Sequence, residues 1–143
     1  MDMSQATRLS AALERITRLL RRADLPGDLS TIAASTLYTL VTEGPSRLTT
    51  LAELEHITQP AMTQLVTRLE RDRLVERTPD PSDGRAVLVA ATPEGSALSA
   101  ARRAARADAL RAAMAHLSRE DLHDLTSAIG ALERVARSEP DPD

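Results

Sequence analysis

The chain has 143 residues and a formal charge of −3, with one tyrosine (Tyr38), no Phe, no Trp and no Cys. That length fits one domain with helical extensions. The missing cysteines exclude disulfides, cysteine-held iron–sulfur clusters, thiol redox sensing and thiolate zinc sites, and the near-absence of aromatics argues against base-stacking RNA folds and aromatic cages.

All 18 basic residues are Arg. Arg suits bidentate phosphate and base contacts, but as the only cation present it carries little weight on its own. No apolar run approaches the roughly 20 residues that span a bilayer. The N-terminus Met1-Asp2-Met3-Ser4 lacks the basic and apolar regions of a signal peptide. A soluble cytoplasmic protein without membrane contact is therefore expected.

In chain order, Leu9, Leu13, Ile16 and Leu20 recur at helical spacing, and Pro26-Gly27 stops that helix. A second helix starts near Asp28 or Ser30 and runs to about Thr42, with Ile32, Leu37, Leu40 and Val41 on its apolar side; Gly44-Pro45 ends it. A third, short helix opens at Thr50, where Thr50 and Glu53 have capping-box spacing. Thr58 then looks like a second N-cap, with Pro60 in the first turn, where a missing N–H costs little. Two short helices across a tight turn predict a helix-turn-helix. The fourth helix carries Met62, Leu65, Val66 and Leu69 on one side and continues to about Arg73.

The period then changes. Leu74–Arg77 and Ala86–Ala90 are short runs with β-branched residues, and the eight residues Thr78–Arg85 between them hold two prolines, two aspartates and a glycine. This predicts a β-hairpin with an eight-residue polar tip. Thr92-Pro93-Glu94-Gly95 caps a long helix reaching about His116. Ser118 to Asp121 caps a last helix with Leu122, Leu125, Ile129, Leu132 and Val135 at helical spacing, and an acidic tail (138–143) follows that is expected to be disordered. The predicted fold class is mainly α with a small β-hairpin wing: a winged helix-turn-helix (29–91) between an N-terminal dimerisation helix (1–28) and C-terminal dimerisation helices (92–137). The outer helices carry apolar faces too long for so small a core, and a second copy of the chain is the simplest cover, about a two-fold axis.

Three stretches in this order resemble the MarR family of transcriptional regulators. Leu51-Ala52-Glu53 resembles the start of the family's first helix-turn-helix segment. Thr58–Glu70, followed by Leu74-Val75, resembles its recognition helix and the lead into the wing. Asp80-Pro81-Ser82-Asp83-Gly84-Arg85, ending in Thr92-Pro93-Glu94-Gly95, resembles the wing and the cap of the next helix. One departure is His56, where the family's turn often has Gly; His tolerates positive φ better than bulky residues do.

A recognition helix fits the major groove, its N-terminal part meeting base edges. Thr58, Gln59, Ala61, Thr63, Gln64, Thr67 and Arg68 lie on or near the side opposite the apolar stripe. Gln59, Gln64 and Arg68 are assigned to bases. The three threonines are assigned mainly to phosphates, and the Ala and Thr methyls can meet a thymine methyl. The resemblance implies that Arg85 enters the minor groove, that Asp83 shapes the turn or orients Arg85, and that the partner is a palindromic double-stranded operator. Arg77 is a candidate phosphate clamp, or else pairs with Glu76 or Asp80. Between residues 58 and 90, five Arg balance five acids, so a positive DNA-facing surface has to come from geometry.

The resemblance also implies a small amphipathic or aromatic inducer between the first, second and fifth helices, with Arg15, Arg18, Tyr38 and His116 as candidate polar lining. His116 and His123 lack the tight spacing of a zinc site, and no cofactor is expected. No Gly-rich phosphate loop or nucleophile elbow suggests an enzyme. The alternative reading is a dimeric small-molecule-binding or protein-interaction module that has lost DNA binding.

Overall fold

The computed structural model describes residues 1–24 and 29–138. The predicted stop at Pro26-Gly27, the alternative cap at Asp28 and the last five residues of the acidic tail lie outside the described residues. The order is α1 (Met3–Arg22), α2 (Thr31–Glu43), β1 (Ser46–Arg47), α3 (Leu48–Leu54), α4 (Gln59–Arg71), β2 (Val75–Asp80), β3 (Asp83–Ala91), α5 (Pro93–Met114) and α6 (Arg119–Arg137). The three strands form one antiparallel sheet in the order β1-β3-β2. No described helix is long and apolar enough to cross a membrane.

Helix starts follow their caps. Ser30 accepts from the Ala33 amide at 3.2 Å, Thr58 from Ala61 at 3.4 Å, and Thr92 from Gly95 at 3.0 Å. Ser118 and Asp121 make a full capping box at α6. Asp2 and Gln5 make another at α1, which was not predicted. The capping box predicted at Thr50 and Glu53 is absent. The helix α3 begins two residues earlier at Leu48, and its N-cap Arg47 makes no side-chain cap bond, because Ser46 and Arg47 are held as a strand against Val89 and Leu88.

The hairpin also departs from expectation. The strands run on to Asp80 and resume at Asp83, so the tip is Pro81-Ser82 rather than eight residues. Pro79 pairs opposite Val87 just before a register irregularity at Pro79/Asp80. β2 is an edge strand and Pro79 sits beside an irregularity in its pairing, the setting in which a sheet tolerates proline.

The core is aliphatic. Leu37 and Leu40 of α2, Leu51 and Ala52 of α3, Val75 and Val89 of the sheet, and the α4 stripe Met62, Leu65, Val66 and Leu69 are buried together. All four α4 residues are the predicted ones. On α2, Leu37 and Leu40 are buried as expected, but Ile32 is exposed and Val41 half-buried; Ala33 and Thr36 take the inner positions. Helices α1 and α6 bury no residue.

Two left-handed residues set the turns around α4. His56 has φ +51° between α3 and α4, and Arg73 has φ +61° between α4 and β2. The His56 and Ile57 amides donate back to the Glu53 and Ala52 carbonyls at 3.1 and 3.0 Å, closing the C-terminus of α3. After α4, Thr92 Oγ1 donates to the Arg73 carbonyl at 2.6 Å, and the Thr92 amide donates to the Leu74 carbonyl at 3.1 Å. This clamp brings the start of α5 so close that a Cβ on Gly95 would collide with the Leu74 carbonyl. Gly95→Ala is expected to destabilise the fold by about 1–3 kcal/mol, the usual cost of overpacking, read as a lowered urea midpoint at unchanged slope.

Candidate nucleic-acid interface

With Met62, Leu65, Val66 and Leu69 buried, the rest of α4 has to face outward. Thr58, Gln59, Ala61, Thr63, Gln64, Thr67 and Arg68 are all exposed, and Thr63, Gln64, Thr67 and Arg68 line one shallow hollow. A row of amide, hydroxyl, methyl and guanidinium groups on one helix face can meet the edges of base pairs.

The hydroxyls are partly committed. Thr63 Oγ1 donates to the Gln59 carbonyl at 3.0 Å and Thr67 Oγ1 to the Thr63 carbonyl at 2.8 Å. Each would have to rotate to donate to a phosphate. Thr58 uses its oxygen to accept from Ala61, which leaves its own hydrogen for a phosphate.

Arg77 lies on β2, and its sequence-stated alternatives, Glu76 and Asp80, are not its partners. It donates through Nη2 to Thr67 Oγ1 at 3.1 Å, and its Nε lies 3.6 Å from Glu70 Oε2. It thus links the wing strand to α4. Arg85 is exposed on β3, and its backbone amide donates to Asp83 Oδ1 at 3.1 Å. The Asp83 carboxylate therefore organises the turn that presents Arg85.

The charge balance of the sequence is resolved by pairing. Arg77 lies beside Glu70, and Arg71 lies 3.3 Å from Asp72. Asp80 is taken by Arg47, which lies outside the balanced stretch, at 2.7 Å. Among the described residues, Arg68, Arg73 and Arg85 have no carboxylate within ion-pairing distance, and Glu76 and Asp83 have no cation within it. The two cations assigned to bases and to the minor groove are thus among the three arginines of this stretch without an ion pair.

Sequence reasoning offered Asp80 as a turn residue or a partner of Arg77, and missed its pairing with Arg47. Asp80 is buried, and four hydrogen bonds reach its carboxylate: Arg47 Nε at 3.0 Å and Nη2 at 2.7 Å, and Ser82 N at 2.9 Å and Oγ at 2.8 Å. The only sequence signal was an Asp two residues before a Ser in a turn, since its cation lies 33 positions away.

A crevice lies between α2 and α5, without the lining from the first helix that was expected. Its volume is about 340 Å3, and Thr31, Ser35, Tyr38, Ser99, Arg103 and Arg106 help line it. The Arg103 guanidinium carbon sits 5.3 Å from the Tyr38 ring centroid. Beneath them Asp24 takes Arg106 Nε at 2.8 Å and Arg102 Nη2 at 3.1 Å, tying the end of α1 to α5. The Arg106 hydrogen bond, with the nearby Arg102 charge, holds the Asp24 carboxyl below its ordinary value. Of the four residues named for this lining, Tyr38 is there. Arg15 and Arg18 line a hollow on α1 with Leu19 and Arg22 instead. His116 is exposed two residues beyond Met114, where α5 ends. No His, Asp and Glu group able to hold a metal occurs among the described residues.

The sequence model of the MarR family matches residues 30–87. An uncharacterised HTH-type transcriptional regulator of Mycobacterium bovis, Mb0904, is 34% identical over 139 residues, spanning 97% of each chain. The chain belongs to the MarR family of DNA-binding transcriptional regulators. The HTH-type transcriptional repressor NicR of Pseudomonas putida is 33% identical over 90 residues, 63% of this chain and 57% of that one. Among solved structures, the transcriptional regulator Tm0710 of Thermotoga maritima superposes with a TM-score of 0.79 at 24% identity, over 96% of this chain and 100% of that one. Against this MarR frame, α3–α4 are the helix-turn-helix and β2–β3 the wing.

The hydrogen bonds from Ser82 and Arg47 hold the Asp80 carboxyl at about 2, against an ordinary 3.8. A carboxyl lowered on folding stabilises the folded state above its unfolded value and loses that contribution as pH falls through its folded value. The Asp80 contribution is therefore complete at neutral pH and fades between about pH 4 and pH 2. A carbon-detected NMR titration should place the Asp80 midpoint near 2, moving up in Arg47→Gln; an ordinary midpoint in the native protein contradicts the geometry.

Proposed function

We propose that this MarR-family protein is a homodimeric, sequence-specific repressor of a palindromic operator, released by a small amphipathic or aromatic ligand. The observation that carries the DNA reading is the outward polar face of α4 beside an exposed wing arginine. In this reading Gln59, Gln64 and Arg68 meet bases, Thr58, Thr63 and Thr67 meet phosphates, and Arg85 enters the minor groove. Arg77 reaches a phosphate only by leaving Glu70.

The dimer reading rests on uncovered apolar faces. Leu9, Leu13 and Ile16 on α1, and Leu122, Leu125, Ile129, Leu132 and Val135 on α6, are between 37% and 71% exposed in the single chain. Taking such a side chain from full exposure to full burial stabilises by about 1.5–3 kcal/mol; these are already partly covered and would gain about half of that each, and eight of them together favour a second copy. Segments 1–28 and 92–137 would then be the dimerisation helices around a DNA-binding unit at 29–91. Two such units, related by a two-fold axis, match half-sites about one helical turn apart. The ligand reading rests on the α2–α5 crevice, where Arg103, the lining arginine not paired with Asp24, suits a carboxylate and the Tyr38 ring beneath it suits an aromatic body once Arg103 swings aside. Repression is supported by the similarity to NicR, whose name says repressor.

Anisotropy against an operator recovered by random-sequence selection tests the DNA assignment. Arg85→Ala should weaken binding about tenfold, the loss of one charge-assisted contact, with modest loss of discrimination. Gln64→Ala should cost about 1–3 kcal/mol of discrimination at one base position. Wild-type affinity and selectivity in both variants would remove the α4 and wing assignment. Light scattering at micromolar concentration should give twice the chain mass of 15.4 kDa; a monomer mass overturns the dimer.

A further inference from the structure

The outer half of the wing is a two-stranded ribbon. Strand β1 pairs with β3 only at Ser46–Val89 and Arg47–Leu88, so residues 83–87 of β3 have β2 as their one strand neighbour. An isolated two-stranded hairpin is marginal in water, yet this ribbon carries Arg85. Something has to fix its angle to the rest of the fold.

Asp80 and Arg47 are placed to do so. One carboxylate oxygen of Asp80 accepts from Ser82 N and Oγ, which closes the tip. The other accepts from Arg47 Nε and Nη2 at 3.0 and 2.7 Å. Arg47 lies on the opposite edge of the sheet and is also the N-cap of α3. The pair therefore spans the middle strand and joins the wing tip to the base of the helix-turn-helix. Two donors from one guanidinium to one carboxylate make a directional contact, and the Asp80 side chain is only 7% exposed.

We infer that Arg47 and Asp80 are positioning residues for DNA binding: they cross-brace the wing against the base of α3 and so hold Arg85 at a fixed angle to α4. This rests on the reading of Arg85 as the wing's DNA contact.

The sign of one substitution separates the brace from simple electrostatics. Asp80→Asn removes a negative charge from the DNA-facing half of the molecule, which by charge alone should tighten binding. The brace predicts the opposite, about a tenfold loss, with a similar loss in Arg47→Gln, each equal to losing the Arg85 contact. Because both act through Arg85, neither should cost more than about twofold further once Arg85 is Ala. Nitrogen-15 relaxation of the free protein is the independent readout: the Arg85 amide order parameter should fall below about 0.6 in both variants while that of Gln64 stays near 0.85, with Arg47→Lys restoring part of the order. Tighter or unchanged binding in Asp80→Asn overturns the brace, as does an unchanged order parameter. Losses that multiply with Arg85→Ala, with a further drop of about one in the salt slope, make Arg47 a phosphate contact instead. Wild-type affinity in Arg85→Ala itself removes the wing reading and the brace with it.

Discussion

The burial of one stripe of α4 governs the rest. Met62, Leu65, Val66 and Leu69 pack against Leu37, Leu40, Leu51, Val75 and Val89, and with no Phe or Trp in the chain these aliphatic contacts have no bulkier substitute. A helix held by four residues at i, i+3, i+4 and i+7 has no rotational freedom left. Its other side, from Thr58 to Arg68, is fixed outward by the same contacts that stabilise the fold. The polar surface proposed for DNA is thus a consequence of the core rather than a separate feature laid over it.

Pairing converts a neutral region into a polarised one. Counted along the sequence, the stretch from α4 through the wing has no net charge. In three dimensions Glu70 lies beside Arg77, Asp72 beside Arg71 and Asp80 beside Arg47, an arginine from outside the stretch, which leaves Arg68, Arg73 and Arg85 unpaired against Glu76 and Asp83. A similar economy operates at α5, where Asp24 ties two arginines to the end of α1 and Arg103 instead stacks on Tyr38. The MarR framework is therefore braced by arginines at both ends of the winged unit.

The elements with strong local signals were legible in the sequence: the helix-turn-helix spacing, the α4 stripe, and the caps at Ser30, Thr58, Thr92 and Ser118. The positive φ of His56 agrees with the resemblance to a turn that often has Gly at that place. What was not legible depended on distant partners. Ser46-Arg47 is too short to show any period, and its strand character comes from pairing with residues more than 40 positions away; that pairing also moved the start of α3 from Thr50 to Leu48. The wing tip shrank from eight residues to two because an edge strand accepts Pro79. The charged partners of Arg77 and Asp80 lie on other elements, so sequence neighbours such as Glu76 were poor guides to them. For the candidate ligand crevice, Tyr38 could be placed from α2 alone, but Arg102, Arg103 and Arg106 were readable only once α5 was laid against it.

The central claim is that this outward α4 face and its wing bind duplex DNA through a few unpaired cations despite a net charge of −3. Titrating the purified protein against the DNA upstream of its own gene, across a salt series with competitor DNA, tests it most directly. The account predicts competitor-resistant binding whose log affinity falls linearly with log salt, with a slope of several units, since a dimer presenting a few phosphate contacts per half-site releases that many counterions. Binding that is absent at every salt, there and in random-sequence selection, would contradict the account and leave the fold as a ligand-binding or protein-interaction module.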